Sequence, residues 1–376
     1  MILPGATLGL LGGGQLGRMF TIAARTMGYR VIVLDPDPLS PAAEIANEHL
    51  CTGYRDAAAL DHLAQHCAAV TTEFENAPAD SLTALADRCV VRPSGASVAV
   101  AQDRILEKTF LREHGLPVGP FAVVRDSDDL EAALARVKLP ALLKTSRFGY
   151  DGKGQARVDS AAQAREIFAS WNGVSCVLEE FLPLKLEISV LLARGQDGET
   201  ACYPVAENQH QQGILDISLV PARVSPALAQ QAADMAVELA SKLDYCGVLA
   251  VEFFVLADDT LLVNEIAPRP HNSGHYTLDA CLTSQFEQQV RTLCGLPLGD
   301  ARQHMPAVMV NLLGEAWGSD RPSWEAILAH HNIKLHLYGK QEARPGRKMG
   351  HFTALGDSLE TALALALEVK RELAQH

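Results

Sequence analysis

The chain reads as an α/β protein that passes into an α+β one, and three observations predict it. From Thr7 to Val91, short apolar runs alternate with helical spacing. Near Pro93 that rhythm stops, and strands and helices then mix without a fixed order. From Met305 a last unit carries two more strand candidates and a closing helix. Regular strand–helix alternation predicts a parallel sheet with crossover helices. At about 150 residues per domain the 376 residues suit three units: residues 1–98, 99–304 (with a lid subdomain at about 120–185) and 305–376.

In order along the chain, Leu8-Gly9-Leu10-Leu11 and Val31-Ile32-Val33-Leu34 read as buried strands with a helix from Leu16 to Met27 between them. Ala69-Val70-Thr71-Thr72 and Cys89-Val90-Val91 continue the pattern. A helix from Ala99 to Glu113 stops at His114-Gly115 with Pro117 beyond, which is good termination chemistry. The middle mixes helices (Asp128 to Lys138, Ala161 to Trp171) with strands at Ala141 to Lys144, Cys176 to Leu178 and Glu187 to Leu192. A long helix from Pro226 to Leu243 precedes two strands flanking Asp258-Asp259. The last unit has strands at Val308 to Leu312 and Lys334 to Tyr338.

With 32 basic against 45 acidic residues the net charge is −13, which disfavours a polyanionic partner, so no nucleic acid is expected. No apolar run reaches the roughly 18 residues that span a bilayer, so no membrane is expected either. The beginning Met1-Ile2-Leu3-Pro4-Gly5 has no basic leader pattern. The eight cysteines form no Cys-x-x-Cys pair and read as buried thiols of a reducing compartment. The expectation is a cytoplasmic protein.

Gly12-x-Gly14-x-x-Gly17 follows a strand and opens a helix, and Asp35 ends the next strand. This is the dinucleotide fingerprint, with backbone close to phosphate and an acid for ribose hydroxyls. It predicts a Rossmann-like sheet and raises a nicotinamide-dependent dehydrogenase, although such a sheet needs glycines at this turn in any case.

A second constellation lies downstream. Lys144 ends an apolar strand, and Gly149-Tyr150-Asp151-Gly152-Lys153-Gly154-Gln155 can wrap phosphate oxygens or simply turn a hairpin. Glu252 and Glu265 are equidistant from Asp258-Asp259, so a turn centred there sets them opposite each other on one sheet face. Facing carboxylates repel unless a cation lies between them, and hard oxygens suit Mg²⁺ on nucleotide phosphates. A turn offset by one residue would instead send them to opposite faces. Lysine, glycine-rich loop and paired carboxylates together describe phosphoryl transfer, for which hydride transfer has no use.

The run Asn264-Glu265-Ile266-Ala267-Pro268-Arg269-Pro270-His271-Asn272-Ser273-Gly274-His275 resembles the ATP-grasp ligases, and among them the N5-carboxyaminoimidazole ribonucleotide synthases. Gly14-Gln15-Leu16-Gly17-Arg18-Met19, Glu73-Phe74-Glu75-Asn76, Gln102-Asp103-Arg104 with Glu107-Lys108, the 149–155 loop, and Arg344-Pro345-Gly346-Arg347-Lys348-Met349-Gly350-His351 agree in the same order, over nearly the whole chain. The resemblance implies a pre-ATP-grasp Rossmann-like sheet, ATP-grasp central and C-terminal lobes, and a small C-terminal sandwich-like unit that completes the active site. It implies ATP-dependent carboxylation of 5-aminoimidazole ribonucleotide by bicarbonate through carboxyphosphate, in purine biosynthesis, by a homodimer using Mg²⁺, with Mn²⁺ as a substitute.

Carried over residue by residue, the resemblance puts ATP on Arg104, Lys144, Gly149, Tyr150, Asp151, Gly152, Lys153, Gly154, Gln155, Glu179, Glu180, Phe181, Leu182, Glu187, His210, Asn264 and Glu265, with Glu252 and Glu265 holding the metal. The ribonucleotide falls to Gly14, Gln15, Leu16, Glu73, Glu75, Lys153, Lys340 and Arg347. Arg269, His271 and Asn272 are the donors for bicarbonate and carboxyphosphate, because a trigonal anion wants convergent donors. The amine proton goes to the departing phosphate or to Asp151. His275 either supports this set from behind or caps local backbone. Two departures stand out: Lys153 replaces the arginine of some relatives, and Ala267 sits where many ATP-grasp enzymes offer a third metal ligand. A formate-using transformylase on the same scaffold is the nearest alternative.

Overall fold

The computed structural model describes residues 1–149, 153–317 and 322–373. Its first unit is a five-stranded parallel sheet in the spatial order Glu48–Leu50, Arg30–Leu34, Thr7–Leu11, Ala69–Thr72, Val90–Val91. The chain order reverses on either side of Thr7–Leu11, so a crevice opens at the carboxyl ends of Thr7–Leu11 and Ala69–Thr72. Gly12 and Glu73 follow those two ends directly. Glu48–Leu50 is absent from the sequence expectation: three half-exposed polar and apolar residues at a sheet edge leave no periodic signal.

The lid is a four-stranded antiparallel sheet, Phe121–Val124, Cys176–Glu180, Ala141–Thr145 and Gln155–Val158, with its own apolar core under helices Ser127–Leu134 and Ala161–Ser170. The largest sheet runs Leu261–Ala267, Gly247–Leu256, Leu184–Arg194, Ala206–Gln211, Ile214–Val220, Ala307–Leu313, Lys348–Leu355, Ile333–Leu337, with Thr200–Cys202 beside Leu184–Arg194. Its C-terminal strands thus extend the central ones through Ile214–Val220 and Ala307–Leu313, under helix Leu359–Leu373. Helix Pro226–Lys242 covers the other end of the sheet, burying Leu228, Ala232, Ala236 and Leu239.

The expected helix from Ala99 to Glu113 is two helices, Gly95–Ala101 and Arg104–Glu113. Asp103 breaks it by adopting extended backbone and accepting from the Ile105 N–H as an N-cap. Gln102, just before it, spends its amide on the carbonyls of Glu75 and Ala77. Of the eight thiols, none is in a disulfide, but Cys51 is exposed where burial was expected. No helix among the described residues is long and apolar enough to cross a membrane.

Helix Gln285–Cys294 joins the first unit to the large sheet. Ser284 caps it, accepting from Glu287 N–H, and Gly295 ends it in the left-handed conformation (φ 64°). Phe286, Val290, Leu293 and Cys294 complete the core formed by Leu8, Leu10, Met19 and Phe20. Gln289 donates from the same helix to Thr71 Oγ1 (3.2 Å) and the Thr72 carbonyl (3.3 Å).

Candidate active site

The cleft is built around the hairpin Gly247–Leu256 and Leu261–Ala267, where Glu252 pairs directly with Glu265. The expected pairing is right, but the expected turn is not. Leu256 N–H donates to Thr260 O, so the loop is Ala257-Asp258-Asp259 and Phe253 pairs with Val263. That register alone would set Glu252 against Asn264. A one-residue bulge at Asn264 restores parity and brings Glu265 opposite Glu252.

Two like charges now face each other, and the protein treats them unequally. Burial and the Glu265 carboxylate push Glu252 up to about 8. Burial would raise Glu265 too, but Arg104, Lys144 and Lys108 outweigh it and hold it below its ordinary value. Arg104 Nη1 lies 3.0 Å from Glu265 Oε2. Hard oxygen ligands, directly opposed and with only one of them readily ionised, fit a divalent cation.

Helix Arg104–Glu113 carries the next group at helical spacing: Arg104, Glu107 and Lys108 share one face. Lys108 Nζ donates to Asn264 O (2.8 Å) and lies 3.6 Å from Glu179 Oε2. Glu179 also takes Lys144 Nζ at 3.0 Å. Burial opposes ionisation of Glu179, yet Lys108 and Lys144 bring it down to about 2. Lys144 therefore reaches the cleft as half of a buried pair. Phe181, farther along the same loop, is exposed and lies under Arg157.

Beyond the carboxylates, His271 Nε2 is 3.3 Å from Glu252 Oε1, and His271 Nδ1 is 2.9 Å from Ser273 Oγ. Burial first, and Arg269 and Lys348 second, keep His271 far below the usual histidine range. A relay of buried hydroxyls and amide fixes this corner: Ser218 Oγ donates to Asn208 Oδ1, Asn208 Nδ2 to Ser189 Oγ and Ser189 Oγ to Ser273 Oγ, each 2.8–2.9 Å. Gln285 holds the His271 backbone on both sides, accepting from its N–H and donating to its carbonyl (2.8 Å each). Gln285 also meets His275 Nδ1 at 3.1 Å, so His275, fully buried against Phe286 and His351, supports His271 from behind. Neither amide atom of Asn272, although buried, has a protein partner among the described residues. The same holds for Asn264 Oδ1 and Glu179 Oε1. Orphaned buried polar atoms clustered in one cleft point to a polar ligand. His210 sits 3.3 Å from Glu187 Oε1 on the neighbouring strands; burial would lower its pKa, but Glu187 raises it overall.

The first glycine turn does something other than the fingerprint predicts. Gly13 N–H donates to Asp35 Oδ2 (2.7 Å), and Tyr54 OH and Asp37 N–H also donate to that carboxylate. Gly14 N–H donates to Glu73 Oε1 (2.7 Å). A Cβ at Gly12 or Gly14 would stand 2.8–2.9 Å from Glu73 Oε1, which accounts for both glycines. The amides that a pyrophosphate would use are thus taken by carboxylates, and the Asp35 carboxylate already accepts three hydrogen bonds from the protein. The dehydrogenase reading fails here.

Other units reach the same place. Lys340 Nζ donates to Gln15 Oε1 (2.6 Å) and Lys348 O (2.6 Å), and Arg269 Nε donates to Glu75 Oε2 (2.7 Å). Leu16 is buried in the first core, and burial raises Glu73 above its ordinary value against the lowering pull of the Gly14 N–H and Arg269. Arg347 Nη1 donates to the Glu342 carbonyl in an exposed contact. In the glycine-rich loop, Gly154 (φ +68°) returns its carbonyl to Thr145 N–H and Gln155 pairs with Lys144. Tyr150, Asp151 and Gly152 lie outside the described residues. Glu180 and Leu182 flank Phe181 on the connection from Cys176–Glu180 to Leu184–Arg194. Sequence reasoning left Gln285 out and gave Glu107 and Lys108 no role. For the last two, their spacing from Arg104 was the available signal.

Comparison with known proteins agrees with this geometry. The ribonucleotide synthetase preATP-grasp domain matches residues 5–102, the ATP-grasp domain 109–286, and the phosphoribosylaminoimidazole carboxylase C-terminal domain 307–365. An N5-carboxyaminoimidazole ribonucleotide synthase of Brucella melitensis is 47% identical over 354 residues, covering 94% of this chain and 97% of that protein. A crystal structure of the ADP complex of an N5-carboxyaminoimidazole ribonucleotide synthetase superposes with a TM-score of 0.93 at 43% identity, covering 100% of this chain and 98% of the other. The Aspergillus clavatus synthase in complex with ADP and 5-aminoimidazole ribonucleotide gives 0.91 at 31% identity, covering 99% of each chain. With its sequence and fold shared along nearly the full length of such relatives, the chain belongs to the N5-carboxyaminoimidazole ribonucleotide synthase family of ATP-grasp ligases.

Proposed function

We propose that the protein couples hydrolysis of ATP to carboxylation of 5-aminoimidazole ribonucleotide, forming N5-carboxyaminoimidazole ribonucleotide, ADP and phosphate in purine biosynthesis. The observation that carries this reading is the convergence of three chemistries in one cleft: the Glu252–Glu265 pair, the buried Asn272 beside His271 with no amide partner among the described residues, and Lys340 docked on Gln15. Arg104 and Lys144 neutralise ATP phosphates, with Glu179 to Leu182, Glu187 and His210 along the nucleoside and the 149–155 loop as its cover. Glu252 and Glu265 hold Mg²⁺, for which Mn²⁺ substitutes. The metal supplies charge neutralisation on the transferred phosphoryl group.

A bicarbonate oxygen attacks the γ-phosphorus, the bond to ADP breaks, and carboxyphosphate forms. Arg269, His271 and Asn272 hold that trigonal anion; neutral His271 offers a hydrogen bond without a second positive charge. The exocyclic amine of the ribonucleotide then attacks the carboxyl carbon, the bond to phosphate breaks, and the amine loses its proton to the leaving phosphate or to Asp151. The Gly14-Gln15-Leu16 turn, Glu75 or Glu73, Lys153, Lys340 and Arg347 receive the ribonucleotide, with Lys340 and Arg347 on its phosphate. Carboxyphosphate reacts with water, so closure of the lid over residues 149–155 serves to exclude it. We assign residues 1–98, 99–304 and 305–376 as the three cooperating units of a cytoplasmic homodimer.

The test is ADP release with and without the ribonucleotide, in bicarbonate-depleted and bicarbonate-supplied buffer. Release that rises with the ribonucleotide, together with a labile carboxylated product that requires bicarbonate, is expected. ATP turnover indifferent to the ribonucleotide would overturn the substrate while keeping the nucleotide site.

A further inference from the structure

Leu261–Ala267, which carries Glu265, is the edge strand of the large sheet. Its outward N–H and C=O groups have no neighbouring strand, and buried backbone groups must be satisfied by something. Val263 N–H donates to the Pro117 carbonyl (2.7 Å). The next two groups are taken by side chains. Lys108 Nζ donates to Asn264 O at 2.8 Å, and Ile266 N–H donates to Glu107 Oε1 at 2.6 Å. These are the carbonyl and the amide of the two peptide bonds that flank Glu265. Both side chains are only 2% exposed, and they are consecutive residues on one face of the helix that Arg104 begins. The gripped segment is also where the bulge at Asn264 departs from regular pairing.

We infer that Glu107 and Lys108 are positioning residues for the metal carboxylate: they clamp the bulged edge on either side of Glu265 and so fix the direction of its side chain toward Glu252. Neither needs to touch the cation or the nucleotide. The inference rests on the reading of Glu252 and Glu265 as metal ligands. A bulge can re-aim a side chain, but it loosens the ladder around it. A ligand carboxylate has to be held in orientation by groups behind it, and loss of such support costs typically 10- to 100-fold in metal affinity or activity. The clamp supplies that support from a helix whose first residue, Arg104, already contacts Glu265, so the clamp and the cation that faces the phosphates share one rigid element.

The experiment measures Mn²⁺ binding to the ADP complex by electron paramagnetic resonance of the free aqua ion, alongside thermal midpoint and the KM for the ribonucleotide. Glu107→Met and Lys108→Met are expected to raise the Mn²⁺ dissociation constant by about 10-fold or more, with the ribonucleotide KM unchanged. Glu107→Gln keeps a carbonyl oxygen for Ile266 N–H, and Lys108→Arg keeps donors for Asn264 O; both are expected to restore binding close to wild type. If Glu107→Met does not fold, the Lys108→Met and Lys108→Arg pair carries the comparison. Glu265→Gln separates the two levels. Unchanged Mn²⁺ binding in Glu265→Gln would overturn the metal reading and the clamp with it. Weakened binding in Glu265→Gln but not in folded Glu107→Met or Lys108→Met would overturn the clamp alone. Equal loss in the Met, Gln and Arg variants would also overturn it.

Discussion

Asn272 occupies a position where no neighbour accounts for a polar side chain: it is buried, and neither end of its amide has a partner among the described residues. Hydrogen bonds to an anion are worth about 1.5–3 kcal/mol each. Replacing Asn272 by Leu is therefore expected to raise the KM for bicarbonate by about 10-fold or more and leave that for ATP unchanged, in steady-state assays at fixed ribonucleotide. Arg347→Ala should raise the KM for the ribonucleotide while ATP binding stays nearly intact; an unmoved KM would remove Arg347 from the phosphate site. Glu265→Gln is expected to lower turnover by a factor on the order of 10² or more, measured as ADP release across Mg²⁺ concentrations. At this scale the sequence was a good guide to chemistry and a poor one to geometry. Glu252 and Glu265 were legible as a facing pair, yet by way of the wrong turn: a three-residue loop and a bulge together make the same parity as the two-residue turn inferred from spacing. Asp35 was legible as a strand-end acid, but nothing local revealed that Gly13, Asp37 and Tyr54 would all donate to its carboxylate.

Helix Arg104–Glu113 depends on Asp103 for its start, and Asp103 Oδ2 also takes Arg147 Nε at 3.0 Å from the lid side. Asp103→Ala removes an N-cap worth about 1 kcal/mol. It is expected to lower the thermal midpoint modestly and raise the KM for ATP, because Arg104 is the first residue of the helix. A lowered midpoint with unchanged ATP kinetics would show that the cap does not set the position of Arg104. Elements with apolar periodicity and end signals, such as Pro226–Lys242 with Ser225 ahead of it, were readable within a residue or so. Ala206–Gln211 was not, since its residues Glu207, Asn208, Gln209 and His210 are polar. A strand that lines a cleft is patterned by its ligand and its hydrogen-bond partners, so the hydrophobic period on which strand prediction depends is missing. The break at Gln102-Asp103 was hidden for a similar reason: a cap inside a helical pattern looks like one more polar position.

Across the whole molecule, buried rings tie the C-terminal unit to the rest. His351 stacks on His336 at 4.6 Å, lies 4.8 Å from His275 and hydrogen-bonds to Tyr338 OH (2.8 Å). Burial, and then the neighbouring histidines, hold His275 and His351 far below the ordinary value. Unfolded histidine titrates near pH 6.5. Below that pH the unfolded chain binds protons that the folded one refuses, so the stability these rings contribute is present above about 6.5 and is lost as pH falls. Glu107 and Glu252, raised to about 8, act in the opposite sense between about 4.5 and 8. The histidine share is therefore read as a difference. Relative to His351→Gln, the wild type is expected to lose up to about 1.4 kcal/mol per pH unit below 6.5, from urea midpoints at several pH values. Parallel profiles would mean that His351 takes up its proton without unfolding.

Helix Gln285–Cys294 has a mechanical meaning as well. Gln285 at its start grips the backbone of His271, Gln289 at its middle reaches Thr71 and Thr72, and Cys294 at its end accepts from Ile2 N–H. It is a keel: the corner proposed to hold the one-carbon anion and the sheet proposed to receive the ribonucleotide are fastened to the same beam. The lid region has a separate core of its own, so it is expected to move as a unit while the two sites proposed for the anion and the ribonucleotide keep their spacing. Amide exchange should display that division in time. The keel amides would open only with global unfolding, and those of Ala141–Thr145 and Gln155–Val158 would exchange sooner, quickening when ADP leaves.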